Sequence, residues 1–498
     1  MDAIAEKPGV TTEKLSVIEK VGYSLGDLAA NLIFQTFITF LAFFYTDVYK
    51  IPAGTASAII FWGGLVGGVL FNPIMGLIAD RTNTRWGKFR PWVLWTAVPF
   101  GVFALLAFTT PDLGEQGKVY YAAITYTLLV IIYAANNLPY AAMSGVLTGN
   151  MAERNSLSAY RFVAVMVAQF IIQVLLLPLV LMLGDGDQAV GFQKAMTFFA
   201  IIGTVFFIIT FLTTKERVVP APEQKTTVKE DLSDLLRNKP WALLLVVTVL
   251  VFVTLALKGG TYIYYFQYYV DEAALARFLD DIGFNAFIGG LNSVLTGIGL
   301  GEFRWPDDPV ASGFGIFNGG GIIFMIVGIA FSKPLADRFG KRNVYGTALF
   351  ISALFLFVFV FYPPDTIGLI FISQVLHGFS YGITIPLLWA MIADVADYSE
   401  WKNHRRATAI IFSAMILGLK FGLAVGGALV AKILDIYGYV RDAVEQTPEV
   451  VQGIKLAISV YSAIPFFISC ALLFFYEINK AMEARIEADL AARRVASR

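Results

Sequence analysis

The sequence predicts an all-α integral membrane protein of about twelve transmembrane helices in two pseudo-symmetric halves of six. Three observations carry that expectation. Of 498 residues, 57% are apolar and only 15% charged, with a mean hydropathy of +0.69, whereas soluble domains average about 25% charged residues. The apolar residues fall into runs near the roughly 20-residue length that spans a bilayer. The third observation is a repeat. Ala79-Asp80-Arg81 recurs as Ala336-Asp337-Arg338, each just after an apolar run and about half a chain apart, as duplicated halves require.

In chain order the runs are 25–47, 55–79, 91–109, 119–146, 160–183, 195–213, 240–269, 312–332, 344–362, 366–393, 407–434 and 456–477. Loops 80–90, 149–161, 214–239, 333–343 and 394–406 hold 4, 2, 6, 4 and 3 Lys and Arg, and the intervening loops hold none to two. Basic loops stay inside, so both termini and the central loop are expected on the cytoplasmic side. The resulting plan is a cytoplasmic segment 1–20, a first bundle 21–213, a central loop 214–239, a second bundle 240–477 and a cytoplasmic tail 478–498.

Three segments outside the spans have their own character. Asp231 to Arg237 in the central loop reads as a short interfacial helix. Segment 271–311 is acidic and broken by Gly and Pro; it reads either as an extracytoplasmic cap or as a disordered insert. The tail alternates charge with Ala and Ile, the pattern of a helix on the inner surface.

Lys+Arg and Asp+Glu cancel at 37 each, which argues against a nucleic-acid partner. No obligate protein partner is indicated; the expected surroundings are the lipid bilayer. The one cysteine, Cys470, excludes an internal disulfide and a cysteine metal cluster. The first 20 residues lack the apolar core and cleavage site of a signal peptide. No catalytic constellation, cofactor motif or metal-ligand spacing is present: there is no Walker A sequence, and His377 and His404 have no ligand partners in register. An enzyme is not expected.

Polarity inside apolar runs is the informative signal, because a charge at mid-membrane costs roughly 2.5–3.5 kcal/mol on insertion scales and faces a cavity or a partner. Lys420 lies about fourteen residues into its run among Gly418, Gly422, Gly426 and Gly427; it reads as a cavity lysine or as half of an ion pair. Asp27, Asn31 and Gln35 share one face of the first run. Asn72-Pro73 and Asn136-Asn137-Leu138-Pro139 each set an amide beside a helix-breaking proline; these amides read as ligand groups or as glue between helices. Arg161 opens the fifth run and either snorkels or reaches inward. Lys258 and Tyr262 lie in the seventh run, and Gln374, His377, Thr384 and Trp389 in the tenth. Asp394 and Asp397 abut Lys402, Arg405 and Arg406, as in an ionic gate or a fixed surface network. Asn318 to Gly321, NGGG, is a flexible helix start or a close-packing site.

Several of these stretches resemble one family. YSLGDLAANLIF at 23–34, FFYTDVYKIPAGTAS at 43–57, NPIMGLIADRTNTRWGKFRPW at 72–92, NLPYAAMS at 137–144, LKGGTYIYYFQYY at 257–269 and MIADVADYSEWK at 391–402 are similar to the glycoside–pentoside–hexuronide:cation symporters, the melibiose-permease-like branch of the major facilitator superfamily. The resemblance implies the major facilitator fold of two six-helix bundles, an inner-membrane location and secondary active transport of a sugar or glycoside by alternating access, with sodium or a proton as coupling ion and no cofactor. It implies a substrate role for Lys420 and Arg161, to which the polar pattern adds Asn31, Asn137, Tyr262 and Trp389. It also implies a cytoplasmic gate at Asp394 and Asp397, to which the repeated loops add Asp80, Arg81, Asp337 and Arg338. The chain departs from the melibiose type at its acidic positions, which here read Asn31, Gly68, Asn72 and Asn137. Amide oxygens alone bind a hard cation weakly, so Asp27 and Asn72 are the coupling candidates and an uncoupled sugar facilitator is the alternative. A membrane sugar receptor that does not transport is the alternative from another class.

Overall fold

The computed structural model describes residues 14–148, 151–217, 238–298, 308–403, 408–441, 443 and 445–496. Among the described residues, twelve helices are long and apolar enough to cross a membrane. In chain order these are α1 (Val17–Val48), α2 (Ala53–Ala79), α3 (Arg90–Ala107), α4 (Glu115–Leu147), α5 (Ser156–Gly184), α6 (Gln188–Thr213) and α7 (Lys239–Tyr268). They continue, after two short helices, as α10 (Pro309–Phe339), α11 (Lys341–Phe361), α12 (Ile367–Lys402), α13 (Ile411–Ile436) and α14 (Pro448–Leu473). The short pair is α8 (Glu272–Asp281) and α9 (Phe284–Gly297), and α15 (Lys480–Ala496) closes the chain. Each predicted run maps onto one span. The extended β backbone among the described residues is a lone bridge between Thr84 and Gly87.

Helix ends follow capping chemistry more than hydropathy. The sixth span starts at Gln188, seven residues before its apolar run, because Asp187 accepts the Ala189 and Val190 N–H groups. Asp308 with Pro309 behind it sets the start of α10 in the same way. Segment 271–311 is not a structureless insert over 272–297, where α8 and α9 form. The expected helix at Asp231 to Arg237 lies outside the described residues.

Contacts divide the chain into two compact units, Met1–Ile51 with Ala58–Gln224, and Pro52–Ser57 with Lys225–Arg498. In the first, α1 packs on α5 and α6, and α3 on α4 and α6. Phe44, Phe108 and Phe192 close its core at centroid distances of 4.9 to 6.1 Å. In the second, α10 packs on α12 and α7 on α13. Glycine makes both approaches close: a Cβ on Gly378 would stand 2.3 Å from the Gly321 carbonyl oxygen, and one on Gly426 2.3 Å from that of Val253. The NGGG stretch is therefore a packing site. The tail helix α15 buries Ile486 and Leu490, and its Asp489 accepts the Trp401 indole N–H at 2.8 Å.

The first unit is tied at one end by the residues that follow α6. Glu216 accepts the backbone N–H groups of Lys88, Phe89 and Arg90 at 2.9, 2.7 and 2.7 Å, capping α3 with a full negative charge where the helix dipole favours one. Gly87 makes room for it: φ is +115°, and a Cβ there would meet the carboxylate at 2.5 Å. Arg217 holds Glu19 of α1 through both carboxylate oxygens, at 2.6 and 3.0 Å, and donates its backbone N–H to the Val146 carbonyl at the end of α4. Lys20 adds an ion pair to Glu153 at 2.8 Å. That hydrogen bond holds the Glu153 carboxyl below the usual carboxylate range, so the tie is complete at neutral pH and is lost as pH falls through the lowered value.

Replacing Glu216 by Gln removes the charge from three charge-assisted bonds, a loss of about 2 kcal/mol. We expect the thermal unfolding midpoint in detergent to fall by several degrees, while Lys215→Ala, at the exposed neighbour, leaves it unchanged.

Candidate functional site

The polar centre of the first unit is an ion pair. Arg161 on α5 donates its Nε–H to Asp27 Oδ2 on α1 at 2.7 Å, with side chains 27% and 5% exposed. Two predicted residues thus form one feature. Arg161 turns inward rather than to the surface.

Two tyrosines build the walls. Tyr23 lies one turn before Asp27 on the same face of α1, and Tyr140 follows Pro139 on α4. Their rings stack at 4.6 Å and 11°. Each hydroxyl donates to the other residue's carbonyl, Tyr23 to Tyr140 at 2.9 Å and Tyr140 to Tyr23 at 2.6 Å. Gly26 admits the second ring, since a Cβ there would lie 2.6 Å from Tyr140 Cε2. The Arg161 guanidinium stands 5.7 and 5.3 Å from the two ring centroids, within cation–π range. From α6, Thr210 donates to the Gly22 carbonyl at 2.8 Å. The pair is thus held by four helices. Neither tyrosine was singled out in the sequence, although the i, i+4 spacing from Tyr23 to Asp27 is visible there.

The amides sort by face. Asn31 is buried and donates to the Asp27 carbonyl of its own helix at 2.9 Å. Asn72 is buried and bonds the Gly68 carbonyl of its own helix. Asn136 is fully buried and donates to Thr96 on α3 at 2.8 Å, which makes it glue between helices. Its neighbour Asn137 is half-buried.

In the second unit Lys420 is half-buried on α13. Lys258 is half-buried on α7, its ammonium 5.4 Å from the Tyr262 ring centroid. Tyr262 is buried, its hydroxyl 2.9 Å from the Gln374 carbonyl oxygen on α12 and its ring edge-on to Phe317 at 4.9 Å. That ring is enclosed by packing on the side of Phe317. His377 donates Nδ1–H to the Ser352 carbonyl at 3.0 Å, since a carbonyl only accepts, and it stacks near Tyr381 and Phe466. Trp389 is exposed on α12.

Two of the expected gate residues, Asp394 and Asp337, sit in ion pairs within the second unit. Asp394 pairs with Lys341 at the start of α11 at 2.6 Å, and Lys341 reaches Glu483 of α15 at 3.4 Å. Lys402 instead donates to the Tyr398 hydroxyl at 3.2 Å, and Arg405 and Arg406 lie outside the described residues. Asp397 is half-buried. Asp337 pairs with Lys333 at 2.6 Å on an exposed face, and Arg338 lies over the Phe339 ring at 5.1 Å. Arg81 is exposed, and the Asp80 side chain lies outside the described residues.

A family model described as MFS/sugar transport protein matches residues 22–296 and 310–480. The chain is similar to the inner membrane symporter YicJ of Escherichia coli (strain K12), 33% identical over 454 residues that cover 91% of this chain and 89% of the relative. It is similar to the isoprimeverose transporter of Lactiplantibacillus pentosus, 31% identical over 481 residues, 95% and 91% of the two chains. Among solved structures, a point mutant of the nucleoside transporter NupG aligns with a TM-score of 0.58 at 13% identity, covering 91% of this chain and 99% of that one. A bacterial homologue of the human lysosomal transporter Spinster aligns with a TM-score of 0.60 at 14% identity, covering 95% and 99%. Those likenesses establish the major facilitator fold. The chain is a multi-pass membrane transporter and not an enzyme, and it belongs to the MFS/sugar transport protein family, within the glycoside–pentoside–hexuronide symporter branch of the major facilitator superfamily.

Proposed function

We propose that this chain moves a sugar or glycoside across the inner membrane by alternating access, with a sodium ion or a proton as the coupled cation. The observation that carries the reading is the Asp27–Arg161 pair: a charged, hydrogen-bonding group held beside a stacked tyrosine pair inside a membrane-spanning bundle. A charge placed there at such cost is a site by default. Arg161 and Lys420 donate to substrate hydroxyls, Asn31 and Asn137 supply amide groups, and Trp389 supplies aromatic surface. The basic loops put both termini on the cytoplasmic side, where Asp80, Arg81, Asp337, Arg338, Asp394 and Asp397 form the gate.

Coupling follows from competition for Arg161. A substrate hydroxyl that draws the guanidinium away leaves a buried carboxylate without its partner, and a cation arriving there restores the compensation. Asn72 enters only if the cation is sodium. One observation favours the second reading, an uncoupled facilitator: Asn31 and Asn72 each direct an amide N–H to a backbone carbonyl of their own helix, at positions where the melibiose type carries acids.

The test is counterflow of labelled pentosides, glucosides, galactosides and hexuronides in proteoliposomes, with and without sodium and proton gradients. We expect at least one glycoside to exchange and to accumulate under one gradient. Asp27→Asn should keep exchange and lose proton-driven accumulation. Lys420→Ala should weaken exchange by about tenfold or more, the loss of one charged hydrogen bond. Accumulation under sodium that survives Asp27→Asn would move coupling away from Asp27, equilibration that ignores both gradients would establish the facilitator, and no exchange with any sugar would overturn the reading.

A further inference from the structure

The helix pair α8 and α9 stands outside the twelve spans and serves no role in the site described above. α8 is fixed to the second unit. The Asp271 backbone N–H donates to the Pro364 carbonyl at 2.9 Å, Leu275 is fully buried against Gly313, and Phe278 packs on Phe371 of α12 at 4.9 Å. These anchors lie where α7 ends and α10 and α12 begin, the end of the unit opposite the basic segments 333–343 and 394–406. Gly283, with φ of +76°, then turns the chain into α9.

α9 is amphipathic and carries no charge. Phe284, Phe287, Ile288, Leu291 and Val294 fall on one stripe at helical spacing, and Asn285, Asn292 and Thr296 on another. From Ile282 to Gly301 there is no Asp, Glu, Lys or Arg, while Asp280, Asp281 and Glu302 bound the stretch. Phe287, Val294 and Ile298 are 66%, 61% and 67% exposed, so the outer part of the apolar stripe faces away from the protein. Fourteen residues rise about 21 Å, too short to cross a hydrocarbon core of about 30 Å. Leu369 and Ile372 near the start of α12 are also exposed, so apolar surface of a membrane-spanning helix lies at the same end of the unit.

We propose that α9 is an interfacial helix that lies in the headgroup–acyl boundary of the bilayer at this end of the second unit, with Phe287, Val294 and Ile298 among the acyl chains. Its polar face of Asn, Ser, Thr and Gly offers nothing to an anionic headgroup, so it responds to acyl packing and not to lipid charge. The occupant of its exposed face is lipid, because α8 fixes the helix at the end where α7 stops and α10 and α12 start, where apolar Leu369 and Ile372 are exposed as well, and no charge lies on α9 itself.

The full chain is tested in a Cys470→Ser background, a near-isosteric change at the one native thiol. Single cysteines at Phe287, Val294 and Ser293 are labelled with a polarity-sensitive nitrobenzoxadiazole and reconstituted in phosphatidylcholine vesicles with or without brominated acyl chains. Monodisperse elution confirms folding of each variant. Labels at 287 and 294 should lose about half or more of their emission to brominated lipid and little to aqueous iodide, and the label at 293 should do the reverse. Adding phosphatidylglycerol should change none of these values. Iodide quenching at 287 and 294 equal to that at 293 would overturn the proposal by placing the stripe in water. Protection from both quenchers would overturn it by placing the stripe against protein, and a dependence on phosphatidylglycerol would overturn the packing-based mode.

Discussion

The first unit depends on one desolvated ion pair. Asp27 is almost fully enclosed, and a carboxylate in that position is tolerable only with a partner in hydrogen-bonding contact. Arg161 supplies it at 2.7 Å from a different helix. Removing one member of a buried pair costs about 3–5 kcal/mol, reduced here because Arg161 keeps partial access to solvent. Much around the pair is arranged to hold that contact. Gly26 lets Tyr140 close over it, and the reciprocal hydroxyl-to-carbonyl bonds lock Tyr23 to Tyr140. The stacked rings then face the guanidinium. Because the pair joins α1 to α5, anything that competes for Arg161 acts on how those helices pack. The proposed function uses that contact to link substrate binding to a conformational step.

The end of the same unit is held by charge of a different kind. Glu216 and Arg217 are adjacent, yet one caps α3 and the other holds α1 and α4. A segment with little apolar surface thereby fixes three helix ends. In the second unit, Lys341 plays a similar part by joining α12 to the tail helix through Asp394 and Glu483. The bundle cores rest on close glycine contacts and aromatic packing, which are stiff; the ends rest on ion pairs, which exchange partners at lower cost.

The spans were legible because hydropathy over 20 residues is a strong signal, and the repeated Ala-Asp-Arg made the two halves visible. Asp27 and Arg161 were each legible as polar residues in apolar runs. Their pairing was not, because it depends on how α1 packs against α5, residues 134 apart in sequence. Asn136 and Asn137 look alike on paper, but neighbouring helical positions face about 100° apart, so one is glue to α3 and the other is half-buried. Tyr262 is expected among the substrate residues, but packing against Phe317 and a bond to Gln374 enclose its ring. Asp394 stands near Lys402, Arg405 and Arg406 in sequence, but it pairs with Lys341, 53 residues away. The short helix α9 was obscured by glycine, which weakens a helix signal without forbidding the helix.

The central claim is that Asp27 and Arg161 act as a unit when substrate binds. A double-mutant cycle on sugar affinity tests it most directly, with Asp27→Asn, Arg161→Gln and the double variant titrated in detergent with whichever glycoside exchanges best. The account predicts strong non-additivity: the double variant binds no more weakly than the worse single variant, with a coupling of about 1 kcal/mol or more. Losses that simply add, to within about 0.3–0.5 kcal/mol, would show two independent residues and contradict it.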